Sequence, residues 1–124
     1  MLKKERDMKI RLIAVVAAGM LLTAGAALAG ESVKITGEII DTSCYAISGA
    51  KGEGHRQCGQ GCIKKGSPAG LLETGTDKVY VLVPQKPLTS LPKGVLAKVG
   101  RSAEITGKVF TTGGSQFLTV ESIK

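Results

Sequence analysis

The chain has 124 residues, of which 17 are basic and 10 are acidic, and it carries a net charge of +7 at pH 7. Its few aromatic residues, two Tyr, two Phe and no Trp, are too scattered to form a surface on which bases stack, so a nucleic-acid-binding role is disfavoured. The length suffices for one domain with a modest core, to which a crosslink would add useful stability.

Residues 1–29 are predicted to be a signal peptide. Five basic residues surround the start of the chain, and the apolar run LIAVVAAGMLLTAGAALA then ends in the small-residue pattern that signal peptidase cleaves, here after Ala29. The leader holds five of the basic and two of the acidic residues, which leaves 12 and 8 and a net charge of +4. We therefore expect residues 30–124 to be soluble and periplasmic or secreted, with membrane attachment only through an uncleaved signal.

The outer thirds of this domain have the residue patterns of strands. SVKITGEIID alternates apolar and polar residues with the period of two that a half-buried strand shows. GLLETGTDKVYVLV predicts a hairpin that turns at residues 75–77. AEITGKVF, TTGGSQ and FLTVESI predict a second hairpin with Gly113 and Gly114 at its tip. Between the hairpins, LTSLPKGVLAKVG predicts a short helix or a single turn.

Two Ile-Thr-Gly segments place a glycine, Gly37 or Gly107, in the middle of a strand, where a small barrel bends. Five strands with bent first and fourth members, and a short helical piece between the third and fourth, follow the order of an OB fold. We therefore predict a mainly β domain, residues 30–124, built as a five-stranded OB-like small barrel. Residues 42–68 would be a cysteine-rich insertion between the first two strands.

This insertion contains every cysteine of the chain and its single histidine. In an OB fold the corresponding loop helps to build the ligand surface, and structured connections of this length are typically functional. HRQCGQGCIKKG predicts a short helix that stops at Gly66, with Lys64 and Lys65 at its negative end. A functional site is therefore expected in the insertion.

The predicted helix would place His55, Cys58 and Cys62 on one face, because they are spaced three and four residues apart. Cβ atoms four apart on a helix are about 5–6 Å from each other, whereas a disulfide requires about 3.8 Å. Two thiolates around a shared metal tolerate the wider separation. With Cys44 folding back from the end of the first strand, the predicted metal ligands are Cys44, His55, Cys58 and Cys62. Such a Cys3His set suits Zn(II) or Cu(I).

Other interpretations stay open at this point. In an oxidising compartment Cys44 could pair with Cys58 or Cys62, which would give a disulfide-stapled binding or interaction module without metal. Cys58 and Cys62 could instead exchange disulfides, provided that Cys58 lies at a helix N-terminus. Asp41 is predicted to cap the turn after the first strand or, alternatively, to orient His55. An enzyme is the least supported class, because neither a Ser-His-Asp arrangement nor paired carboxylates can be recognised.

The segments ITGEIIDTSCY, HRQCGQGCIKKGSPAGLL and AEITGKVFTTGGSQFLTVESI together resemble small exported bacterial proteins with an OB-like barrel, most of which have no assigned role. The distinctive elements are Asp-x-x-Cys-Tyr, His-x-x-Cys-x-x-x-Cys and Gly-x-Pro-x-Gly, at residues 41–45, 55–62 and 66–70. The periplasmic haem chaperone of cytochrome c maturation would be a relative by fold, and it holds haem through a histidine in a C-terminal tail. This chain has no such histidine and no Cys-x-x-Cys-His motif, so no haem is expected. We expect a protein that holds a soft metal or exchanges it with a protein partner.

Overall fold

A computed structural model describes residues 30–124, and the predicted signal peptide lies outside the described residues. The strands are Val33–Asp41 (β1), Ala69–Glu73 (β2), Val79–Val83 (β3), Ser102–Gly107 (β4), Val109–Thr112 (β5), Ser115–Thr119 (β6) and Ser122–Ile123 (β7). The α-helices are Thr42–Ser48 (α1), Arg56–Lys64 (α2) and Lys93–Ala97 (α3), and a 3₁₀ turn at Glu53–His55 leads into α2. Within this part of the chain, no helix has the length and apolar character needed to cross a membrane.

The seven strands form one sheet in the order β5-β6-β3-β2-β1-β4-β7. Neighbouring strands are antiparallel except β3 and β6, which run parallel. Within residues 30–124 no ladder joins the two end strands, β5 and β7, so the sheet is not closed by hydrogen bonds. The prediction of a mainly β fold is confirmed, but the sheet has seven strands where five were predicted.

The predicted strand AEITGKVF is interrupted at Lys108, which accounts for one of the extra strands. Its first half is β4, which pairs with β1, and its second half is β5, which pairs with β6. At the interruption, Lys108 donates its N–H to Thr119 Oγ1 (2.8 Å) and accepts the N–H of Thr119 (3.0 Å). A Cβ atom on Gly107 would lie 1.6 Å from the Thr119 carbonyl oxygen. The glycine is therefore required because a neighbouring backbone passes where a side chain would be.

The predicted hairpins and helices are confirmed. β2 and β3 form one antiparallel hairpin, and β5 and β6 form the other, with Gly113 and Gly114 at its tip in the left-handed region (φ 58° and 77°). The short helix between the hairpins is α3, and the helix in the insertion is α2, which ends shortly before Gly66. The chain after α2 turns sharply at Gly66, where φ is 109°.

The hydrophobic core lies on one face of the sheet and beneath α3. Its buried members are Ile35, Ile39, Ala69, Leu71, Tyr80, Leu82, Val95, Val99, Ala103, Ile105, Leu118 and Val120. At the end of β1 the alternation of buried and exposed residues stops, because Ile39, Ile40 and Asp41 are all buried. Helix α2 packs against this end of β1, where Gly59 lies close to Asp41 and to the core residue Val99.

The position of the core can be tested with two isoleucines. Ile105 is 0 % exposed and Ile47 is 87 % exposed. We expect Ile105→Ala to lower the free energy of unfolding by about 2–5 kcal/mol, because it removes buried methyl groups and leaves a cavity. The matched control Ile47→Ala should stay within about 0.5 kcal/mol of wild type. Urea denaturation measures both, and equal losses would contradict this placement of the core.

Candidate metal centre

β1 ends in a buried carboxylate. Asp41 is 0 % exposed and is the only charged residue buried in the described part of the chain. Its Oδ1 accepts the backbone N–H of Ser43 (3.0 Å), which caps α1, and also accepts the hydroxyl of Ser67. The predicted capping role of Asp41 is confirmed. Its second oxygen, Oδ2, is buried and has no hydrogen-bond partner.

Helix α1, which no pattern in the sequence predicts, places Cys44 beside this carboxylate. Seven residues are too few for a helical periodicity to be recognised. The available signals were its two caps, Asp41 before it and Gly49 after it. Gly49 adopts φ 68° and donates its N–H to the carbonyl of Tyr45 (2.8 Å). With Asp41 as the cap, Cys44 lies within the first turn.

His55 is held by the segment that precedes α2. This segment is attached to the sheet at two points: the N–H of Gly52 donates to Glu38 on β1, and Glu53 forms a two-bond ion pair with Arg101 (3.1 and 3.2 Å). The N–H of His55 donates to the Gly52 carbonyl (3.0 Å), which closes the 3₁₀ turn. His55 therefore precedes α2 instead of lying within it, and its Nε2 is buried without a hydrogen-bond partner.

Gly59 allows α2 to pack closely over these residues. A Cβ atom at this position would lie 2.9 Å from Val99 Cγ1, 3.5 Å from His55 Cδ2 and 3.8 Å from Asp41 Cβ. The other glycine of the helix, Gly61, has no atom within 4 Å of where its Cβ would be. The two glycines therefore differ in role: only Gly59 faces the site.

Asp41, Cys44 and His55 form a group that could hold a metal ion. Each offers one ligand atom, and these atoms all lie within 4.8 Å of one another. Asp41 Oδ2 and His55 Nε2 are the two buried side-chain atoms in residues 30–124 that lack a hydrogen-bond partner, and both belong to residues of this group. Leaving such an atom unsatisfied costs about 1–3 kcal/mol. The group includes two of the four predicted ligands and adds Asp41, which had been assigned only a supporting role.

The other two predicted ligands are placed differently. Cys62, which is partly exposed on α2, lies close enough to Asp41 and Cys44 for these three groups to alter one another's pKa values. Cys58 is exposed, one helical turn before Cys62. All three cysteines are free thiols. The fold therefore brings Cys44 and His55 together, places Cys62 at the edge of the group, and leaves Cys58 on the surface.

The buried charge controls the protonation of its neighbours. The Asp41 carboxylate raises the pKa of the Cys44 thiol to about 12. Burial raises the pKa of Cys62 and outweighs the opposing influence of the nearby Cys44 thiol. For Asp41 itself, burial raises the pKa, but the hydrogen bonds that Oδ1 accepts from Ser67 and the backbone of Ser43, together with the nearby thiols of Cys44 and Cys62, bring it below its ordinary value. Redox thiols have lowered pKa values, so Cys44 and Cys62 lack this property.

The three distinctive sequence elements meet at this site: the first supplies Asp41 and Cys44, the second His55 and Cys62, and the third Ser67. Comparisons with family models, curated proteins and solved structures find no match to this chain.

The packing of α2 predicts opposite effects for two identical substitutions. Gly59→Ala should lower the free energy of unfolding by about 1–3 kcal/mol, because the new methyl group overpacks against the buried Val99. Gly61→Ala should instead raise it by up to about 1 kcal/mol, because alanine favours the helix and meets no neighbour. Urea denaturation of the metal-free proteins measures both, and stabilisation by both substitutions would show that Gly59 does not face the site.

The lowered pKa of Asp41 predicts a dependence of stability on pH. Its ionised form is favoured in the folded state, so this contribution is present above the ordinary value of 3.8 and is lost as the pH falls through the lower folded value. Asp41→Asn removes the titrating group. The difference in unfolding free energy between wild type and variant should therefore shrink as the pH falls below the pKa of Asp41 in the folded protein. Denaturant unfolding of both metal-free proteins between pH 7 and pH 2.5 measures this difference. A difference that stays constant with pH would contradict the lowered pKa of Asp41.

Proposed function

We propose that this protein binds one zinc ion through Asp41, Cys44, His55 and Cys62. One observation carries the proposal: Asp41 Oδ2 and His55 Nε2 are buried, unpartnered and in the same small group as a thiol. They form no hydrogen bond with each other. A cation between them would satisfy both atoms, and the negative charge of Asp41 favours such a cation.

The chemistry of the ligands favours zinc over copper. Zn(II) binds sulfur at about 2.3 Å and nitrogen or oxygen at about 2.0–2.2 Å, in a tetrahedron that separates its ligand atoms by roughly 3.3–3.8 Å. The ligand atoms of Asp41, Cys44 and His55 lie within 4.8 Å of one another, so a short inward movement of these side chains would bring them to the separations of a zinc tetrahedron. A carboxylate suits Zn(II), whereas Cu(I) is selected by soft sulfur ligands. Copper bound by the Cys3His set predicted from the sequence would require the exposed Cys58 to turn inward.

We propose the periplasm as the location and metal holding or transfer as the role. The basic leader, the apolar run and the cleavage pattern at residues 1–29 support export. Zinc binding would also stabilise a domain of this size, by about 4 kcal/mol when free zinc exceeds the dissociation constant a thousandfold. The partner would be a protein that donates the metal or accepts it.

The sheet itself is proposed to be a variant of the OB barrel. If β4 and β5 are counted as one strand bent at Lys108, five long strands remain. The bent strand then pairs with β1 through its first half and with β6 through its second, as a partly open barrel requires. The site would lie in the connection between the first two strands, which is one of the ligand-binding loops of OB folds.

A second candidate is a metal-free binding module stapled by a disulfide. Cys44 and Cys62 are close enough to influence each other's pKa values, but they are free thiols in the structure and would have to move together to form this bond. Export into an oxidising compartment would favour such a bond. Both candidates use Cys44 and Cys62. They differ in whether these two residues bind zinc as thiolates or form a disulfide with each other.

Metal content and intact mass of protein purified from the periplasm test the proposal. We expect one zinc ion per chain, and three thiols that react with an alkylating reagent once the metal is removed under denaturing conditions. The disulfide candidate predicts no metal, a mass lower by two protons and one reactive thiol. That second result would exclude the zinc site.

Ligand variants identify the residues involved. Asp41→Asn and Cys62→Ser should each lower zinc affinity by more than the roughly 10–100-fold that loss of a merely supporting group costs. The matched control is Asp77→Asn, the same substitution at an exposed turn residue, which should leave the affinity unchanged. Competition with a coloured zinc chelator measures these affinities, and unchanged binding by both site variants would contradict the proposed ligand set.

A further inference from the structure

Cys58 is the one cysteine that the proposed zinc site does not use. It is exposed and lies in the first turn of α2, four residues before Cys62. Residues at this spacing lie on the same side of a helix, with Cβ atoms about 5–6 Å apart. A surface thiol thus stands next to an edge ligand of the site.

The other ligands are poorly placed to meet an incoming partner. Asp41 is 0 % exposed, and the Nε2 atom of His55 is buried. Cys44 and Cys62 are only partly exposed. A zinc ion held by another molecule therefore cannot reach the two innermost ligands without first leaving that molecule, whereas Cys58 is accessible from outside.

We propose that Cys58 is the transfer thiol of this site, through which zinc enters from, and leaves to, a thiol-bearing partner by ligand exchange. The inference rests on the proposed zinc-binding function and adds a kinetic role to it. The ion would finally be bound by Asp41 and His55, whose Oδ2 and Nε2 atoms lack partners. Cys58 and Cys62 lie four residues apart on α2, so the ion could pass from the first thiol to the second.

The exchange involves no change of oxidation state. Cys58 releases its proton to solvent and forms a sulfur–zinc bond, and a thiolate of the donor leaves the ion and takes up a proton. Cys62 would then lose its proton and bind the same ion. This bond would bring the ion within reach of Cys44, His55 and Asp41. Cys44 would lose its proton as it binds the ion, the bonds to Cys58 and to the remaining donor thiolates would break, and Cys58 and those thiolates would take up protons. Release to an acceptor follows the same steps in reverse.

The test separates the rate of zinc transfer from the affinity. Zinc is presented as its glutathione complex, and its uptake by the metal-free protein is followed by stopped-flow mixing, while affinity is measured at equilibrium with a chelator. Cys58→Ser should keep the zinc affinity of wild type and slow the transfer about tenfold or more, because a handover between neighbouring thiols is replaced by a direct encounter with the inner ligands. Cys62→Ser should weaken the affinity itself.

A relocated thiol provides the matched control. The double variant Cys58→Ser with Gln57→Cys keeps three thiols and an exposed cysteine on α2, but turns that cysteine by about 100° around the helix. It should transfer zinc as slowly as Cys58→Ser alone. Transfer at the wild-type rate by Cys58→Ser would overturn the inference and leave the zinc site standing. An affinity loss as large as that of Cys62→Ser would make Cys58 a permanent ligand, which also overturns it. Absence of zinc binding by wild type would overturn the proposed function and this inference together.

Discussion

The buried carboxylate of Asp41 is the constraint on which the rest of the site depends. An ionised group without solvent must be matched by donors or by an opposite charge. One of its oxygens receives the N–H of Ser43 and the hydroxyl of Ser67, which lie at the two ends of the insertion. The same carboxylate thus caps α1, connects Asp41 to Ser67, 26 positions further along the chain, and lies in one small group with Cys44 and His55.

The carboxylate would also favour a cation over a neutral ligand at the proposed site. It holds Cys44 in the thiol form, with a pKa near 12, so an ion that binds must displace a proton. A neutral ligand would leave the Asp41 charge with the same incomplete set of partners. Binding would therefore couple to pH, and affinity for a metal would rise as protons become scarcer. Without metal, the buried charge is stabilised by the hydrogen bonds that Oδ1 of Asp41 accepts.

Holding an ion and exchanging it make opposite demands on a protein. Tight binding favours buried, preorganised ligands, whereas rapid exchange needs a ligand that a partner can touch. The proposed site would separate these demands along one short helix, because Gly59 lets α2 pack tightly against Val99 and His55, while Cys58 at the preceding position is exposed. In this view the spacing of the two cysteines on α2 links an inner binding site to the surface.

Local patterns in the sequence are sufficient to predict the mainly β fold, both hairpins, α2, α3 and the segment that contains the site. These patterns are the alternation in β1, the glycines at turns, and the helix stop at Gly66. The sequence also predicted that Cys44 folds back toward His55. Only the tertiary structure decided that Asp41 joins them and that Cys58 does not, because a helix of two turns specifies which residues share a face, but not which face meets β1. That choice is made by packing: the side of α2 with no side chain at Gly59 is the one that fits against the end of the strand.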